Sequence, residues 1–490
     1  MKIVIASSEA IPFSKTGGLA DVASGLAKAL HQDGHDVTLI LPHYRRLTPP
    51  HLVGEPLGAI NVKIGEKQAE AHLLRGNMPG SSVRVVLVDK PDYFDRAALY
   101  TEKGHDYHDN CERYVFFSRA VLDAARFLNL QPDVFHSNDW QTGIVPALVK
   151  TEWRRQAGCE TTGAVFTIHN MAFQGKFPWW DMRLTGMSWE YFTYQQMEYY
   201  GDLNLMKTGI VFSDVTTTVS PTYAREICRP EYGYGLDTAL ALRGPRLIGI
   251  LNGVDTEEWN PATDKYLNTK YTADSFQEGK ATNKRELQQE MGLPQRAEPL
   301  LFGMISRLTD QKGLDLILAK AEDLLKADIQ MVFLGTGDIR TENAITELAH
   351  RFPQKVAVRI GFDEGLAHRI EAGADAYLMP SRFEPCGLNQ QYSSLYGTPP
   401  VVMSVGGLAD SVVDTTPETL MNGTATGFKF STYTPEQFIS AVWRCVGCYL
   451  HDRMGWKKLV ENGMRRDWSW KRGATEFVQA YQRAIQLAKT

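Results

Sequence analysis

Apolar residues along this chain follow two alternating patterns. Short runs rich in valine, isoleucine and leucine alternate with longer segments whose apolar positions recur at helical spacing. This alternation predicts strands joined by helices in parallel α/β sheets. The predicted strands are residues 2–6, 36–41, 83–88, 134–136, 163–168 and 215–219 in the first half, and 300–306, 330–334, 356–361, 376–379 and 400–403 in the second.

A turn-rich stretch separates the two sets of strands. It contains Asn252-Gly253-Val254-Asp255 and Trp259-Asn260-Pro261, whose residue types mark loops and linkers. We therefore predict two doubly wound, Rossmann-like domains, residues 1–250 and 251–467. Because such domains bind ligands at the carboxyl ends of their strands, we expect the active site in a cleft between the halves.

Composition narrows the class of protein. A chain of 490 residues exceeds the size of one hydrophobic core, and 43% hydrophobic residues is ordinary for a globular protein. A formal net charge of -5 argues against a nucleic-acid or membrane-surface binder. The first strand begins at Lys2, which leaves no room for a signal peptide, and no apolar run is long enough to span a bilayer. We expect a soluble cytoplasmic enzyme.

The Cys445–Cys448 pair and the tryptophans are expected to be structural. Cys445-Val-Gly-Cys448 is a lone pair in an apolar, helical stretch, with no second pair to complete a zinc site. The tryptophans, Trp140, Trp179 and Trp180 among them, could be sugar-stacking platforms. Large aromatic residues more often lie in the core, so we expect core positions for them.

The pentapeptide Gly-Gly-Leu-Ala-Asp occurs twice, at residues 17–21 and 406–410. The first copy follows Lys15-Thr16 and lies between a predicted strand and a predicted helix. Unpaired N–H groups at a helix N-terminus attract phosphate, and glycine permits close approach. The alternative is that the glycines merely turn the chain. Lys15 and the preceding strand favour a phosphate site, and the second copy suggests a similar loop in the second half.

Polar motifs follow two predicted strands of the first half. One is His136-Ser137-Asn138-Asp139-Trp140, and the other is Thr167-Ile168-His169-Asn170. A single histidine at a strand end is more often structural than functional. Two such motifs at one sheet edge favour a ligand site.

Charged loops follow two strands of the second half. Arg307 and Lys312, in Ser306–Gly313, could neutralise a departing diphosphate, although solvated loop charges are the alternative. Glu384, in Pro380–Leu388, could bind sugar hydroxyls or stabilise positive charge on a glycosyl carbon, and its alternative is an ion pair with Arg382. The Gly335-Thr336-Gly337 loop alone is weak evidence for nucleotide binding.

Taken together, these segments resemble bacterial glycogen synthases and plant starch synthases, in the family's order up to about Asp410. The resemblance rests on residues 15–22, 138–140, 167–170, 219–227, 251–255, 307–313 and 381–388. It implies a retaining glycosyltransferase of the GT-B fold that moves glucose from ADP-glucose to the nonreducing end of an α-1,4-glucan. It also implies that a last helix, residues 468–490, crosses back to the first domain.

The motifs and the resemblance together assign the site residues. The catalytic residues are expected to be His169, Arg307, Lys312 and Glu384; the donor-binding residues Lys15, Gly18, Asp139, Asn252, Gly335, Phe362, Cys386, Gly387, Leu388, Gly406 and Gly407; and the further candidates Tyr100, Asp21 and Asn389.

Several positions depart from the family pattern. Gln391 stands where related retaining families carry a second glutamate, and Asn389 and Val405 replace threonines. The substitution at 389 implies that one hydroxyl contact to phosphate or sugar is lost or remade. Ser137-Asn138 differs from the usual pair of a small residue and histidine.

The expected mechanism needs no metal and no cofactor. No Asp-x-Asp pair occurs in the sequence, and no nucleophile is evident opposite Glu384. We expect front-face departure of ADP through an oxocarbenium-like ion pair, with ADP-glucose and an α-1,4-glucan as partners and neither nucleic acid nor membrane. Two alternatives stay open: a sucrose- or trehalose-related glycosyltransferase of the same fold, and a noncatalytic glucan-binding protein.

Overall fold

The structure is a computed structural model that describes residues 1–102 and 104–490. The chain folds as two compact units, residues 1–253 together with 470–490, and residues 254–469. Each unit is built on a largely parallel sheet flanked by helices. The predicted α/β class is therefore confirmed.

The N-terminal unit contains a nine-stranded sheet in the order β14-β13-β9-β8-β1-β2-β5-β4-β3. All neighbours pair in parallel except β4, which is antiparallel to both β3 and β5. Two small sheets, β10-β12-β11 and β6-β7, complete its described strands. The strands are β1 (Lys2–Ala6), β2 (Asp36–Pro42), β3 (Val53–Ile64), β4 (Lys67–Gly76), β5 (Arg84–Asp89), β6 (Thr101–Glu102), β7 (His105–Asp106), β8 (Val134–Asn138), β9 (Gly163–Ile168), β10 (Lys176–Pro178), β11 (Glu198–Tyr199), β12 (Asp202–Asn204), β13 (Val215–Thr218) and β14 (Leu247–Gly249).

Helices cover this sheet with apolar faces. The first helix buries Leu19, Val22, Leu26 and Leu30, positions three or four residues apart that lie on one face. The helices are α1 (Gly18–Gln32), α2 (Pro91–Phe94), α3 (Asn110–Phe127), α4 (Val145–Thr151), α5 (Met182–Thr185), α6 (Leu205–Phe212), α7 (Pro221–Glu226), α8 (Pro230–Gly233) and α9 (Asp237–Ala241).

The C-terminal unit contains a six-stranded parallel sheet in the order β17-β16-β15-β18-β19-β20. Its strands are β15 (Leu300–Ile305), β16 (Ile329–Gly335), β17 (Val356–Ile360), β18 (Ala376–Met379), β19 (Pro400–Met403) and β20 (Phe428–Phe430). Its helices are α10 (Phe276–Glu290), α11 (Leu314–Leu324), α12 (Ile339–Arg351), α13 (Glu364–Gly373), α14 (Asn389–Leu395), α15 (Gly406–Ser411), α16 (Pro417–Met421), α17 (Pro435–His451) and α18 (Arg453–Arg465).

The last helix, α19 (Trp470–Ala488), packs in the N-terminal unit. Trp470 lies against Gly25 of α1, where any side chain would overlap the indole. The Tyr481 hydroxyl lies 2.9 Å from Nδ1 of the buried His136, and Phe477 contacts the same imidazole ring. This packing covers the part of the sheet formed by β8 and β9.

The sequence pattern did not predict the hairpin β3–β4 or the edge strands β14 and β20. Strands β3 and β4 are largely exposed, so polar residues replace the continuous apolar runs of the central strands. The other two strands have only three residues each.

All six cysteines are free thiols, and Cys445 is buried in α17. No helix within residues 1–102 and 104–490 has the length and apolarity to cross a membrane.

Candidate active site

The sheet order of the N-terminal unit brings three loops to one edge. Strand β1 lies between β2 and β8, so the order of strands in the sheet reverses direction at β1. Such a switch in direction opens a crevice at the carboxyl ends of the strands. The loops after β1, β8 and β9 carry Lys15, Asp139 and His169 respectively.

The glycine loop after β1 is organised by Glu9. This buried carboxylate accepts hydrogen bonds from the Thr16 amide (2.5 Å), the Thr16 hydroxyl (2.6 Å) and the Gly17 amide (3.3 Å). The Tyr100 hydroxyl donates a fourth, at 2.6 Å. The Tyr100 hydroxyl has only one proton and donates it to Glu9. Ser8 Oγ therefore donates to the Tyr100 oxygen, 2.7 Å away.

Glu9 was not among the predicted site residues. An acidic side chain in a loop gives no periodic signal, and its partners become evident only when the loop is folded back on it. Tyr100, a further candidate, lies within hydrogen-bond reach of the glycine loop through Glu9. Burial raises the pKa of the Tyr100 hydroxyl well above its usual range, so it stays a donor.

The predicted phosphate loop itself is exposed. Lys15, Gly17 and Gly18 face solvent, and a side chain on Gly17 would meet nothing within 4 Å. Gly17 is the N-cap of α1 and has no side-chain cap. Lys15 Nζ forms an ion pair with Asp21 Oδ1 at 3.0 Å, which holds the ammonium group beside the first turn. The loop is therefore open to an anion, although the Gly17 amide is already shared with Glu9.

Asn138, Asp139 and His169 form one hydrogen-bonded group. Asp139 Oδ1 accepts from the His169 backbone amide at 2.7 Å, across the ends of β8 and β9. Asn138 Nδ2 donates to the Ala6 carbonyl, so Oδ1 of that amide faces His169 Nε2 at 2.9 Å. An amide oxygen can only accept, so His169 carries its proton on Nε2 and presents Nδ1 as an acceptor.

Asn138, which departs from the family pattern, thus orients His169, the predicted catalytic histidine. Burial lowers the pKa of His169 to about 3, so the imidazole is neutral near pH 7. Burial raises the pKa of Asp139 to about 7, although the His169 amide opposes that shift. Asp139 has φ 56°, a left-handed conformation that turns the chain sharply after β8.

Asn252 lies apart from these loops in sequence but in the same unit. It follows β14 and is 5% exposed.

A second switch of direction occurs in the C-terminal unit, where β15 lies between β16 and β18. The loop after β15 carries Arg307 and Lys312, and the loop after β18 carries Glu384. The Arg382 amide donates to the Gln311 carbonyl, and the Gln311 side chain donates to the Phe383 carbonyl. Two loops far apart in sequence are therefore held against each other.

Lys312 and Glu384 form a short, largely buried ion pair. Lys312 Nζ lies 2.6 Å from Glu384 Oε2, and the two side chains are 15% and 9% exposed. The Ser381 hydroxyl donates to the same carboxylate oxygen at 3.0 Å. The alternative pairing of Glu384 with Arg382 is wrong, because Arg382 pairs with the exposed Asp315. Arg307 is exposed in the same loop as Lys312.

Glycines permit the close approach of these loops. A side chain on Gly313 would lie 2.0 Å from the Pro380 carbonyl oxygen, and Gly313 has φ 76°. A side chain on Gly335 would lie 1.8 Å from the Ser306 carbonyl oxygen. Both glycines are therefore required for the loop that carries Arg307.

The Gly335-Thr336-Gly337 loop is capped from within the protein. Glu342 Oε1 accepts from the Gly337 amide and the Thr336 hydroxyl, each at 2.7 Å. These bonds lower the pKa of the Glu342 carboxyl. The Gly337 amide is therefore already bonded, which weakens the reading of this loop as a phosphate cradle.

The second Gly-Gly copy likewise has a backbone amide that is already bonded within the protein. The Gly407 amide donates to the carbonyls of Glu384 and Pro385, each at 3.0 Å, so it is not open to phosphate in this structure. Side chains on Gly406 or Gly407 would overlap the carbonyl oxygens of Glu384 and Cys386. The second copy therefore supports the backbone of the Glu384 loop.

Four further predicted residues of this unit lie at the end of the Glu384 loop and the start of α14. Cys386 is buried, Gly387 has φ 69°, and Leu388 is the N-cap of α14, so all three shape the end of the Glu384 loop. Asn389 donates to the Ile305 carbonyl (2.8 Å) and the Tyr377 hydroxyl (2.7 Å), which ties α14 to β15. Its amide nitrogen is thus used within the protein.

Phe362 is 83% exposed after β17, with its ring open to a stacking partner.

No group of three or more metal-ligating side chains that could hold a metal ion occurs in the part of the chain that the structure describes. Among the predicted residues, direct contacts join Asp139 to His169 in the first unit and Lys312 to Glu384 in the second, and Tyr100 bonds to Glu9.

Comparisons with known proteins agree over the full length of the chain. The family model for the starch synthase catalytic domain matches residues 2–242, and that for glycosyl transferases group 1 matches residues 286–449. The glycogen synthase of Anaeromyxobacter sp. (strain Fw109-5) is 46% identical over 98% of this chain and 99% of its own length. That of Syntrophotalea carbinolica is 42% identical over 99% of both.

Solved structures show the same likeness. The catalytic domain of starch synthase IV from Arabidopsis thaliana, bound to ADP and acarbose, has a TM-score of 0.90 and 33% identity over 99% of each chain. Sucrose-phosphate synthase from Thermosynechococcus elongatus has a TM-score of 0.61 at 15% identity over 99% of each chain, a likeness of fold alone.

Proposed function

The chain belongs to the family of bacterial glycogen synthases and plant starch synthases, with the GT-B fold, and we propose that it transfers glucose from ADP-glucose to the nonreducing end of an α-1,4-glucan with retention of configuration. The observation that carries this proposal is the Lys312–Glu384 ion pair at the switch point of the C-terminal sheet. The related starch synthase structure holds ADP and acarbose, which supports a nucleotide sugar and a glucan as ligands here.

Arg307 and Lys312 are assigned to the diphosphate. A lysine ammonium has three protons, and Glu384 takes one of them, so two remain for phosphate oxygens. Arg307 is exposed and presents a planar fork suited to two oxygens at once. Together the two cations stabilise the charge that develops as the diphosphate leaves.

Glu384 is assigned to the glucosyl carbon and its hydroxyls. Its carboxylate is held by Lys312 and Ser381, so it keeps a fixed position as positive charge builds on the sugar ring. The bond between the anomeric carbon and the diphosphate oxygen breaks, and the acceptor hydroxyl oxygen bonds to that carbon on the same face. The proton of the acceptor hydroxyl passes to the departing diphosphate, and ADP and the lengthened glucan are released.

Residues of the N-terminal unit receive their roles from the resemblance and from their geometry. The neutral His169 and the Asp139 carboxyl are assigned to glucose hydroxyls, because both are fixed polar groups at the edge of the sheet. Lys15 and Gly18 are assigned to the donor because their loop is exposed and cationic. The proposal includes the cytoplasm as the location, which agrees with six free thiols, and a reaction without a metal.

The deciding experiment measures glycogen-dependent ADP or UDP release with ADP-glucose and UDP-glucose as donors, in buffer containing EDTA. We expect turnover with ADP-glucose, and a fall of about 100-fold or more for Arg307→Ala and Lys312→Ala. Arg382→Ala, in the loop of Glu384 but paired with exposed Asp315, serves as the matched control and should remain within about threefold of wild type.

Two results would contradict the proposal. Turnover of Arg307→Ala and Lys312→Ala within a few-fold of wild type would remove the assigned roles. Glucan binding without any nucleotide release would indicate a binding protein on the same scaffold.

A further inference from the structure

The N-terminal unit carries a row of aromatic rings, three exposed indoles and one half-buried phenyl ring, that the proposed mechanism does not use. We call Trp180, Trp179, Trp189 and Phe192 the aromatic row. The ring centroids of successive members lie 5.8, 6.2 and 5.7 Å apart. The three indoles are each 50–52% exposed. The expectation that Trp179 and Trp180 lie in the core is therefore wrong, whereas it holds for Trp140, which is 9% exposed.

Local structure explains why these rings stay exposed. Trp179 and Trp180 begin one short 3-10 helix, Trp179–Asp181, and Trp189 begins another, Trp189–Tyr191. Neither helix contains a buried residue, so the rings pack edge to face on each other and not into the core. Contiguous exposed apolar surface of this kind marks a binding site more often than a chance arrangement.

The aromatic row directly follows a segment that packs against a residue of the predicted active site. Phe177, two residues before Trp179, contacts Trp140 with a centroid distance of 5.8 Å. Trp140 directly follows Asp139 and also contacts Tyr100, at 6.3 Å. A side chain on Gly175 would overlap the Trp140 ring, so the segment that leads to the row is held tightly on that tryptophan. The row thus begins two residues after Phe177, whose ring lies on the tryptophan next to Asp139.

We propose that the aromatic row binds a stretch of the α-1,4-glucan acceptor remote from its reacting end. This inference rests on the proposed function, because only a polymeric acceptor has such a stretch. Sugar rings present C–H faces to aromatic rings, and tryptophan offers a large rigid surface with little conformational entropy to lose. Several consecutive rings match a ligand built of repeated, similar units.

The charges near the row favour a neutral ligand. Lys176 and Arg183 supply positive charge, and Asp181 and Glu190 supply negative charge. Both signs are interspersed, so the surface has no bias toward an anionic polymer or a phosphorylated peptide. A neutral polysaccharide needs no such bias.

The test compares the double variant Trp179→Ala/Trp189→Ala with wild type in the full chain. We measure glycogen binding by affinity electrophoresis, and initial rates with glycogen and with maltotriose as acceptors. Maltotriose is the short acceptor, and we expect it to occupy the reacting site without reaching the row. We expect the KM for glycogen to rise about tenfold or more, because the double variant removes two of the ring surfaces on which the glucan would stack. The ratio of the two KM values, glycogen over maltotriose, should rise accordingly.

Trp443→Ala is the matched control. Trp443 is 39% exposed but lies on α17 of the C-terminal unit, away from the row in sequence and in fold. It should leave glycogen binding and both KM values unchanged. Thermal unfolding of each variant checks that the exposed substitutions leave the fold intact.

Three outcomes overturn the inference. Unchanged glycogen affinity in the double variant would show that the row does not bind the acceptor. An equal rise in both KM values would place the effect at the reacting site. Self-association of wild type that is lost in the variant, with glucan affinity unchanged, would assign the row to contact between copies of the chain. Failure of the proposed function is distinguished from all of these, because wild type would then transfer no glucose.

Discussion

Replacing Glu9 by glutamine should weaken the hydrogen bonds that hold the first glycine loop in place. In wild type the carboxylate accepts four hydrogen bonds, two from hydroxyls at one oxygen and two from backbone amides at the other. Glutamine can keep its oxygen toward the amides of Thr16 and Gly17. Its NH2 group then faces the hydroxyls of Thr16 and Tyr100, which must turn to accept.

The magnitude follows from the number of bonds and their exposure. Hydrogen bonds to a charged group are stronger than neutral ones by about 1 kcal/mol each. Thr16 and Gly17 are exposed, so water replaces part of what the charge supplied. We therefore expect a loss of about 2 kcal/mol in donor binding and transfer, or about 30-fold in kcat/KM for ADP-glucose.

The assay is the initial rate of ADP release at varied ADP-glucose and saturating glycogen. The effect should lie mainly in the KM for the donor, since Lys15 and Gly18 lie in the loop that Glu9 holds. Tyr100→Phe removes one of the four donors and should have an intermediate effect. Glu342→Gln is the matched control: the same pair of groups, a threonine hydroxyl and a glycine amide, bonds an exposed carboxylate there, and we expect less than about a threefold effect.

The reasoning would be refuted if Glu9→Gln kept kcat/KM within about threefold of wild type with its fold intact. An equal effect of the Glu9 and Glu342 substitutions would refute it too, because burial would then make no difference.

Three further predictions concern charges of the candidate site. Lys312→Ala should lower the free energy of unfolding by about 2 kcal/mol, because it leaves the largely buried Glu384 unpaired, and adding Glu384→Gln should restore part of that loss in denaturant titrations. Asp139→Asn should stabilise the free protein more at pH 8 than at pH 5. The Asp139 pKa of about 7 in the fold exceeds its unfolded value, so wild type loses stability as pH rises between the two, and equal changes in Tm at both pH values would contradict this. Asn138→Asp should raise the pKa of His169 by about 1–3 units and move the acid limb of the plot of kcat against pH to higher pH. An unmoved limb would show that this contact does not affect activity.

The central strands were predictable because their burial leaves a continuous apolar signal. Residues 163–168, 376–379 and 400–403 are strands with the predicted bounds. The hairpin formed by residues 53–64 and 67–76 has polar and exposed positions along most of its length, and the sequence there has no apolar run to detect. Sheet edges are therefore harder to predict than sheet centres.

The candidate site shows the same division. Arg307, Lys312 and Glu384 could be singled out because each follows a strand, and strand ends meet at one edge of a sheet. That Lys312 pairs with Glu384, and Arg382 with Asp315, depends on side-chain directions that the spacing does not encode.

The two glycine loops share an internal arrangement that their sequence motifs do not reveal. In each unit a threonine hydroxyl and the following glycine amide bond a single glutamate, at Thr16-Gly17 with Glu9 and at Thr336-Gly337 with Glu342. One glutamate precedes its loop by seven residues and the other follows by five, so no fixed sequence spacing reveals the arrangement. In each loop an internal carboxylate already accepts a hydrogen bond from a glycine amide that the motif alone would assign to phosphate. We therefore expect diphosphate binding to depend chiefly on side-chain cations, and we expect the substitutions at Arg307 and Lys312 to lower activity more than any change at a glycine-loop carboxylate.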